Sequence, residues 1–183
     1  MMPIGPLMIE HRLIERMLKV MSKVLQGMKK ESKVDPVFID IFVDFTRTYA
    51  DRCHHGKEED ILFRDLGRKP LTKEHREIMG ELITEHRWGR KTTARLVEAN
   101  KRYRQGDQKA LSTTMECVEA LTSFYPKHIE KEDKHFFVPV MTYFDKAEKE
   151  GMLQEEYEFD RTLISRKYQE IVQEAERLHG LST

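Results

Sequence analysis

One pattern of histidine and glutamate occurs twice in this chain, at helical spacing and with almost constant separation. Its six members are His11, His54, Glu58, His86, His128 and Glu132. Each copy has a single histidine followed by a His-x-x-x-Glu pair. The single histidines are 75 positions apart and the paired ones 74 apart. Residues four apart share one face of a helix, and imidazole and carboxylate groups bind iron, manganese or zinc. The repeat therefore predicts helices that build a pseudo-symmetric site for two metal ions.

The composition favours a single helical domain. The chain has 183 residues, of which 35% are charged, with only nine glycines and six prolines. This length suits one domain with a sizeable core, and this composition favours helix. The formal net charge is zero, so no basic excess indicates binding to nucleic acid. We therefore expect no nucleic-acid partner.

No targeting or membrane segment is recognisable. Residues 1–6 lack a basic region followed by an apolar run, and no segment approaches the ~20 apolar residues that span a bilayer. Two cysteines, Cys53 and Cys117, are too few for a disulfide framework. These features predict a cytoplasmic protein that does not associate with a membrane.

Four helices are predicted before residue 140, over about 6–30, 36–66, 72–104 and 108–139. Asp35-Pro36 combines an N-cap with the favoured first-turn proline, and Gly106-Asp107 reads as a turn and N-cap. Because all the links are short, neighbouring helices should be antiparallel. The predicted fold is all-α, an up-down-up-down four-helix bundle with an additional C-terminal helix.

The C-terminal part is predicted to differ from the bundle. After Pro139 a loop rich in lysine and glutamate leads to Gly151, and one helix is expected over about 155–178. Its apolar stripe comprises Tyr157, Ile164, Tyr168, Ile171, Ala175 and Leu178. We predict a metal-binding bundle over 1–140, and over 141–183 a loop and helix that pack on the bundle or on a second subunit.

The six candidate ligands fall at one level of this bundle. Pairing helix ends across the first turn places His11 beside His54, and pairing across the third turn places His86 close to His128. At ~1.5 Å rise per residue, all six lie within roughly two helical turns. Burying the two glutamates in a core without a cation would be costly. This agreement favours metal ligands over ordinary core histidines.

The tandem His54-His55 and Glu58-Glu59 gives two pairs with the same spacing. The repeat aligns His54 with His128, and the helical face of His55 carries polar neighbours. The interpretation is that His54 and Glu58 bind metal, while His55 and Glu59 lie behind the ligands or face solvent.

On these residues the chain resembles the hemerythrin-like family, also called the HHE cation-binding domain, over about residues 7–140. The resemblance implies an up-down-up-down bundle around a non-haem di-iron centre. The two irons would share the two glutamates and an oxo or hydroxo bridge, with manganese or zinc as alternatives. Ferritin-like bundles differ because they use Glu-x-x-His and further glutamates.

One departure from the family concerns the third helix. Oxygen-carrying hemerythrins have a second histidine there, one turn from the first, whereas the flanking turns here hold Leu82 and Arg90. A fifth ligand could come from His55, from Glu59 or from water. The departure weakens the inference to reversible oxygen transport.

Three functions are compatible with these residues. The sequence does not decide whether the protein is an enzyme. The first is a di-iron protein that binds or senses O2 or a related small ligand. The second is a stress-response protein that handles peroxide or nitric oxide, or donates iron for iron-sulfur cluster repair. The third is an interaction module with a structural metal. A homodimer through the C-terminal helix is compatible with each of them.

Overall fold

The protein forms six helices and no strand within residues 2–161 and 164–181, which the computed structural model describes. Helix α1 is Ile4–Glu31 and α2 covers 36–66. Helix α3 is Lys73–Arg104 and α4 covers 110–140. Helices α5, Lys146–Asp160, and α6, Ile164–Leu178, follow. The predicted all-α bundle with an additional C-terminal helix is confirmed. Within these ranges, no helix combines the length and apolar character needed to cross a membrane.

The predicted starts of α2 and α3 are confirmed by their caps. The Asp35 side chain accepts hydrogen bonds from the backbone N–H groups of Val37 and Phe38, which would otherwise lack partners at a helix start. Thr72 does the same for the N–H of His75. These short polar residues therefore fix where the second and third helices begin.

Helices α2 and α4 depart from ideal α-helical winding near the repeated motifs. In α2, two stretches are π-helical, Phe45–His55 and Glu58–Phe63. In α4, Glu132–Phe136 is π-helical after the α-helical segment Ala110–Lys131. A π-helix has more residues per turn and is frequently found at functional sites. Faces inferred from a 3.6-residue period therefore do not hold through these stretches.

Two apolar cores lie on either side of the candidate metal level. One is built around residues such as Met17, Phe42 and Leu121, and the other around residues such as Leu7 and Phe136. Helix α1 packs on α4, and α3 packs on both α2 and α4. The bundle therefore holds the repeated motifs in a polar layer between two apolar ones.

The C-terminal part differs from the predicted single helix over 155–178, which was wrong. The chain forms two helices there, and a capping box of Asp145 and Glu148 starts the first of them, α5, well before residue 155. Helix α6 packs on α1 and α2, and the buried Tyr168 hydroxyl donates to Asp44 at 2.5 Å. Tyr157 and Leu178 of the expected stripe are exposed.

Ile164 belongs to the same stripe, but its side chain lies outside the described residues. The division into parts 1–140 and 141–183 and the homodimer stay predictions.

Candidate metal centre

The bundle brings all six predicted ligands together in its interior. Each side chain is at most 2% exposed, although two of the six are glutamates, which are almost never fully buried unless paired. The residues are His11 from α1, His54 and Glu58 from α2, His86 from α3, and His128 and Glu132 from α4.

These ligand atoms form two adjacent groups. His11, His54, Glu58 and Glu132 offer atoms within 4.8 Å of one another, and so do His55, His86 and His128. The second group includes His55, whose ring stacks on that of His86 with centroids 3.8 Å apart. The arrangement thus has a two-histidine side and a three-histidine side.

Each glutamate reaches both sides. In Glu58, one carboxylate oxygen lies 3.3 Å from Nε2 of His54 and the other 3.3 Å from Nε2 of His86. In Glu132, the oxygens lie 3.2 Å from Nε2 of His11 and 3.2 Å from Nε2 of His128. Two donors bound to one metal at ~2.1 Å and roughly right angles lie about 3 Å apart. The spacing therefore fits carboxylates that would each hold a cation on both sides.

The inner atoms of the site have no hydrogen-bond partner among the described residues. They are the Nε2 atoms of His11, His54, His86 and His128 and both carboxylate oxygens of Glu58 and Glu132. Unpartnered buried polar atoms are costly and rare in native proteins. Since they converge and combine imidazole with carboxylate, the residues present fit a pair of metal cations.

The outer nitrogen of every ring is held by a carboxylate. The Nδ1 pairs are His11–Asp133 at 2.7 Å, His54–Glu10 at 2.9 Å, His55–Asp51 at 3.3 Å, His86–Glu59 at 2.7 Å and His128–Glu85 at 2.7 Å. A carboxylate behind a histidine fixes its tautomer and leaves Nε2 free for a metal. All five rings are thus oriented as ligands.

Each of these carboxylates is in turn held by a cation. The pairs are Asp133–Arg12, Glu10–Lys57, Asp51–Arg90, Glu59–Arg90 and Glu85–Lys131. Buried or half-buried carboxylates are stable only when paired. Apart from Glu59, sequence reasoning missed this outer layer, although Glu-His-Arg and Lys-Glu recur beside the ligands in both copies.

The pKa values of the rings shift in both directions. Burial lowers the pKa of His54 to about 4 and that of His55 well below its ordinary value, so both rings are neutral, which is the form that binds metal. In His11 and His86, hydrogen bonds to carboxylates outweigh burial and raise the pKa, in His11 to about 9. Burial and repulsion by Glu132 raise the pKa of Glu58 well above its ordinary value. Nearby metal cations would compensate this repulsion.

The sequence left the role of His55 open: it was expected behind the ligands or facing solvent, with a fifth ligand as the alternative. The residue is 2% exposed and lies with the ligand atoms, because the π-helical stretch Phe45–His55 turns it inward beside His54. Its counterpart in the second copy is Ile129, a buried core residue. That apolar counterpart was the signal in the sequence for an inward-facing position. Glu59, expected behind the ligands or facing solvent, is 27% exposed, and its carboxylate lies 2.7 Å from Nδ1 of His86.

The fold and the site define a class: a helical bundle that binds cations through paired histidine and carboxylate ligands. The model of the hemerythrin HHE cation-binding domain matches residues 2–140. The chain belongs to this family. No curated protein and no solved structure matches the chain.

Proposed function

We propose that this protein holds two iron ions and binds or senses O2 or a related small ligand. The observation that carries the proposal is the unequal division of histidines around two bridging glutamates. Mixed imidazole and carboxylate donors suit both Fe(II) and Fe(III). When bound, such a pair supplies reversible one-electron cycling and coordination of a small diatomic molecule.

The donor count leaves room for a ligand on one side. With an oxygen from each glutamate, the side of His55, His86 and His128 offers five protein donors, and the side of His11 and His54 offers four. Iron commonly takes six donors in such sites. The two-histidine side is therefore the more open one. His55 supplies the fifth histidine that the third helix lacks.

The surroundings of the two-histidine side favour an apolar ligand. Leu7 and Ile14 flank His11 along α1 and are at most 2% exposed. The ring of Phe137 stacks on that of His11 with centroids 5.6 Å apart. An apolar shell excludes water and lowers the local dielectric constant. A small uncharged gas is the kind of ligand that such a shell admits.

Metal analysis with an absorption spectrum tests the proposal. Protein purified without a histidine tag and reconstituted with iron should contain two irons per chain. It should show a near-ultraviolet charge-transfer band that changes with O2 and with azide. The zinc-loaded protein is the matched control, because zinc has no redox chemistry. One zinc per chain in preference to iron, or an iron band indifferent to both ligands, contradicts the proposal.

A second candidate function is the handling of peroxide or nitric oxide. It is favoured by a polar cavity of about 220 Å³ whose lining includes Thr93, Arg90 and Tyr125. The Tyr125 ring lies 6.2 Å from those of His55 and His128, between centroids. Such a cavity suits a polar molecule better than a gas. Steady turnover of peroxide or nitric oxide by iron-loaded protein, absent from zinc-loaded protein, would favour this function over simple binding.

A further inference from the structure

A fully buried lysine lies beside the two-histidine side of the metal centre. Lys57 stands between His54 and Glu58 in α2 and is 0% exposed. Its Nζ contacts Glu10 of α1 and lies 2.5 Å from Asp160 of α5. A buried ammonium group persists only when opposite charges surround it. Asp160 is therefore one of the two carboxylates that hold this lysine in place.

The same lysine is linked to a metal-ligand candidate through one carboxylate. One oxygen of Glu10 contacts Lys57, and the other lies 2.9 Å from Nδ1 of His54. A continuous chain of charged contacts thus runs from Asp160 through Lys57 and Glu10 to His54. Asp160 lies beyond residue 140, where the family match ends.

The close approach of α5 to α2 depends on a glycine. A Cβ added to Gly56 would lie 2.9 Å from the ring of Phe159, so a larger residue would force that ring to move. Gly56 precedes Lys57, and Phe159 precedes Asp160. The counterpart of Gly56 in the second copy is Glu130, an exposed residue. The first copy therefore has its smallest possible residue where α5 packs, and the second copy has an exposed charged residue at the equivalent position.

The second copy contains the same contacts without the covering helix. Lys131 contacts Glu85 at 2.6 Å and Glu81 at 2.9 Å, and Glu85 lies 2.7 Å from Nδ1 of His128. The Glu81 side chain is 61% exposed. An exposed partner of this kind is screened by water and contributes little. Glu81 is thus the solvent-exposed equivalent of Asp160.

We propose that Asp160 is a positioning residue for the metal centre, which acts through Lys57 and Glu10 to hold the ring of His54. Helix α5 thereby stabilises the metal bound by His11 and His54 and leaves the other metal unaffected. The inference rests on the proposed metal pair, although neither the identity of the metal nor the small ligand matters to it.

Metal release from the iron-loaded protein tests the inference. In Asp160→Asn, a ferrous chelator should remove one of the two metals about 10-fold faster than from wild type, since partners behind a ligand are worth about 10–100-fold in metal affinity. The other metal should leave at the wild-type rate. Glu81→Gln, the matched control in the second copy, should change neither rate more than about 2-fold. Glu156→Gln, on the same helix, should release both metals at the wild-type rates.

A spectroscopic measurement separates positioning from general loosening. In cobalt-substituted protein, each ligand histidine should give a shifted, exchangeable ring N–H resonance. Asp160→Asn should move or broaden the resonance of His54 and leave that of His128 in place. Asp160→Glu, which keeps the carboxylate, should restore it. Glu10→Gln removes the charge of the carboxylate that links Lys57 to His54. It replaces Asp160→Asn in both measurements if that variant does not fold.

Three outcomes would overturn the inference. They are unchanged release of both metals from Asp160→Asn, equal acceleration of both, and an effect of Glu81→Gln as large as that of Asp160→Asn. If wild-type protein does not bind two metals, the proposed function fails instead. Metal content of the wild type therefore distinguishes the two failures.

Discussion

The two halves of the bundle carry the same ligand pattern but surround it differently. In the first half, the lysine of the His-x-x-Lys-Glu motif is buried under helix α5, whereas in the second half Lys131 is 26% exposed. The first half has a second histidine after the ligand, and the second half has Ile129 there. The repeat thus determines where the candidate metal ligands lie, while residues outside it decide how each group of ligands is supported.

Removing a bridging glutamate should have the largest effect, because it acts on both halves at once. Each oxygen of Glu132 faces a different side of the centre. Glu132→Ala should therefore lose both metals. Its metal affinity should fall by more than ~100-fold, the upper end of the loss seen when a residue behind a ligand is removed. Metal content by mass spectrometry measures this. Glu130→Ala, an exposed neighbour on the same helix, should keep two metals. A Glu132→Ala protein that keeps a full pair would rule out bridging.

Substituting the counterparts His55 and Ile129 should separate a ligand from a core residue. His55→Ala should retain about one metal per chain, because it removes a donor from the three-histidine side alone. Ile129→Ala should retain two metals but lower the free energy of unfolding of the metal-free protein by ~2–4 kcal/mol. Metal content and urea denaturation measure the two effects. If His55→Ala still binds two metals tightly, His55 is not a ligand.

Substituting the two lysines should show the asymmetry in stability. Lys57→Met leaves Glu10 and Asp160 buried without their cation and should cost ~3–5 kcal/mol in the free energy of unfolding. Lys131→Met should cost less than about 1 kcal/mol, because its ion pairs are partly exposed. Urea denaturation of the metal-free proteins measures both values. Equal losses of unfolding free energy in the two variants would contradict the proposed difference between the halves.

The smallest expected effect concerns Glu156, a residue of α5 with no counterpart in the second half. Burial raises its pKa from 4.5 to about 8, with Lys57, Glu10, Asp160 and Glu155 as its charged neighbours. The folded state therefore holds a proton that the unfolded state releases between pH 4.5 and 8. Stability from this group falls as pH rises through that range.

Glu156→Gln should remove this loss and be more stable than wild type at pH 8 by ~1–3 kcal/mol. Below pH 4.5 the two proteins should differ little, because the carboxyl group is protonated in both states. Denaturation midpoints across this pH range test the prediction. A constant difference at every pH would mean that packing, and not the proton, is responsible.

Much of the bundle was predictable because its signals are local. Asp35-Pro36 and Thr72 start helices through contacts two or three residues away, and four-residue spacing alone places the histidine and glutamate of each pair on one face. The capping box at Asp145 was also readable from the sequence and was overlooked.

Other features depend on geometry that sequence periodicity does not contain. His55 turns inward because α2 winds as a π-helix, so a 3.6-residue period gives the wrong face. Lys57 meets Asp160 across 103 positions of sequence, and no local rule predicts that pair. The apolar Ile129, read through the repeat, was the one indirect indication that position 55 is buried.

Arg90 occupies one of the two places where oxygen-carrying relatives have their second histidine on the third helix. Here its guanidinium holds Asp51, the carboxylate behind His55. Arg90 therefore supports, through Asp51, the ring that the proposed function makes the fifth histidine. Members of this family with a histidine at the position equivalent to 90 are expected to lack one at the position equivalent to 55, since either ring would supply the same donor.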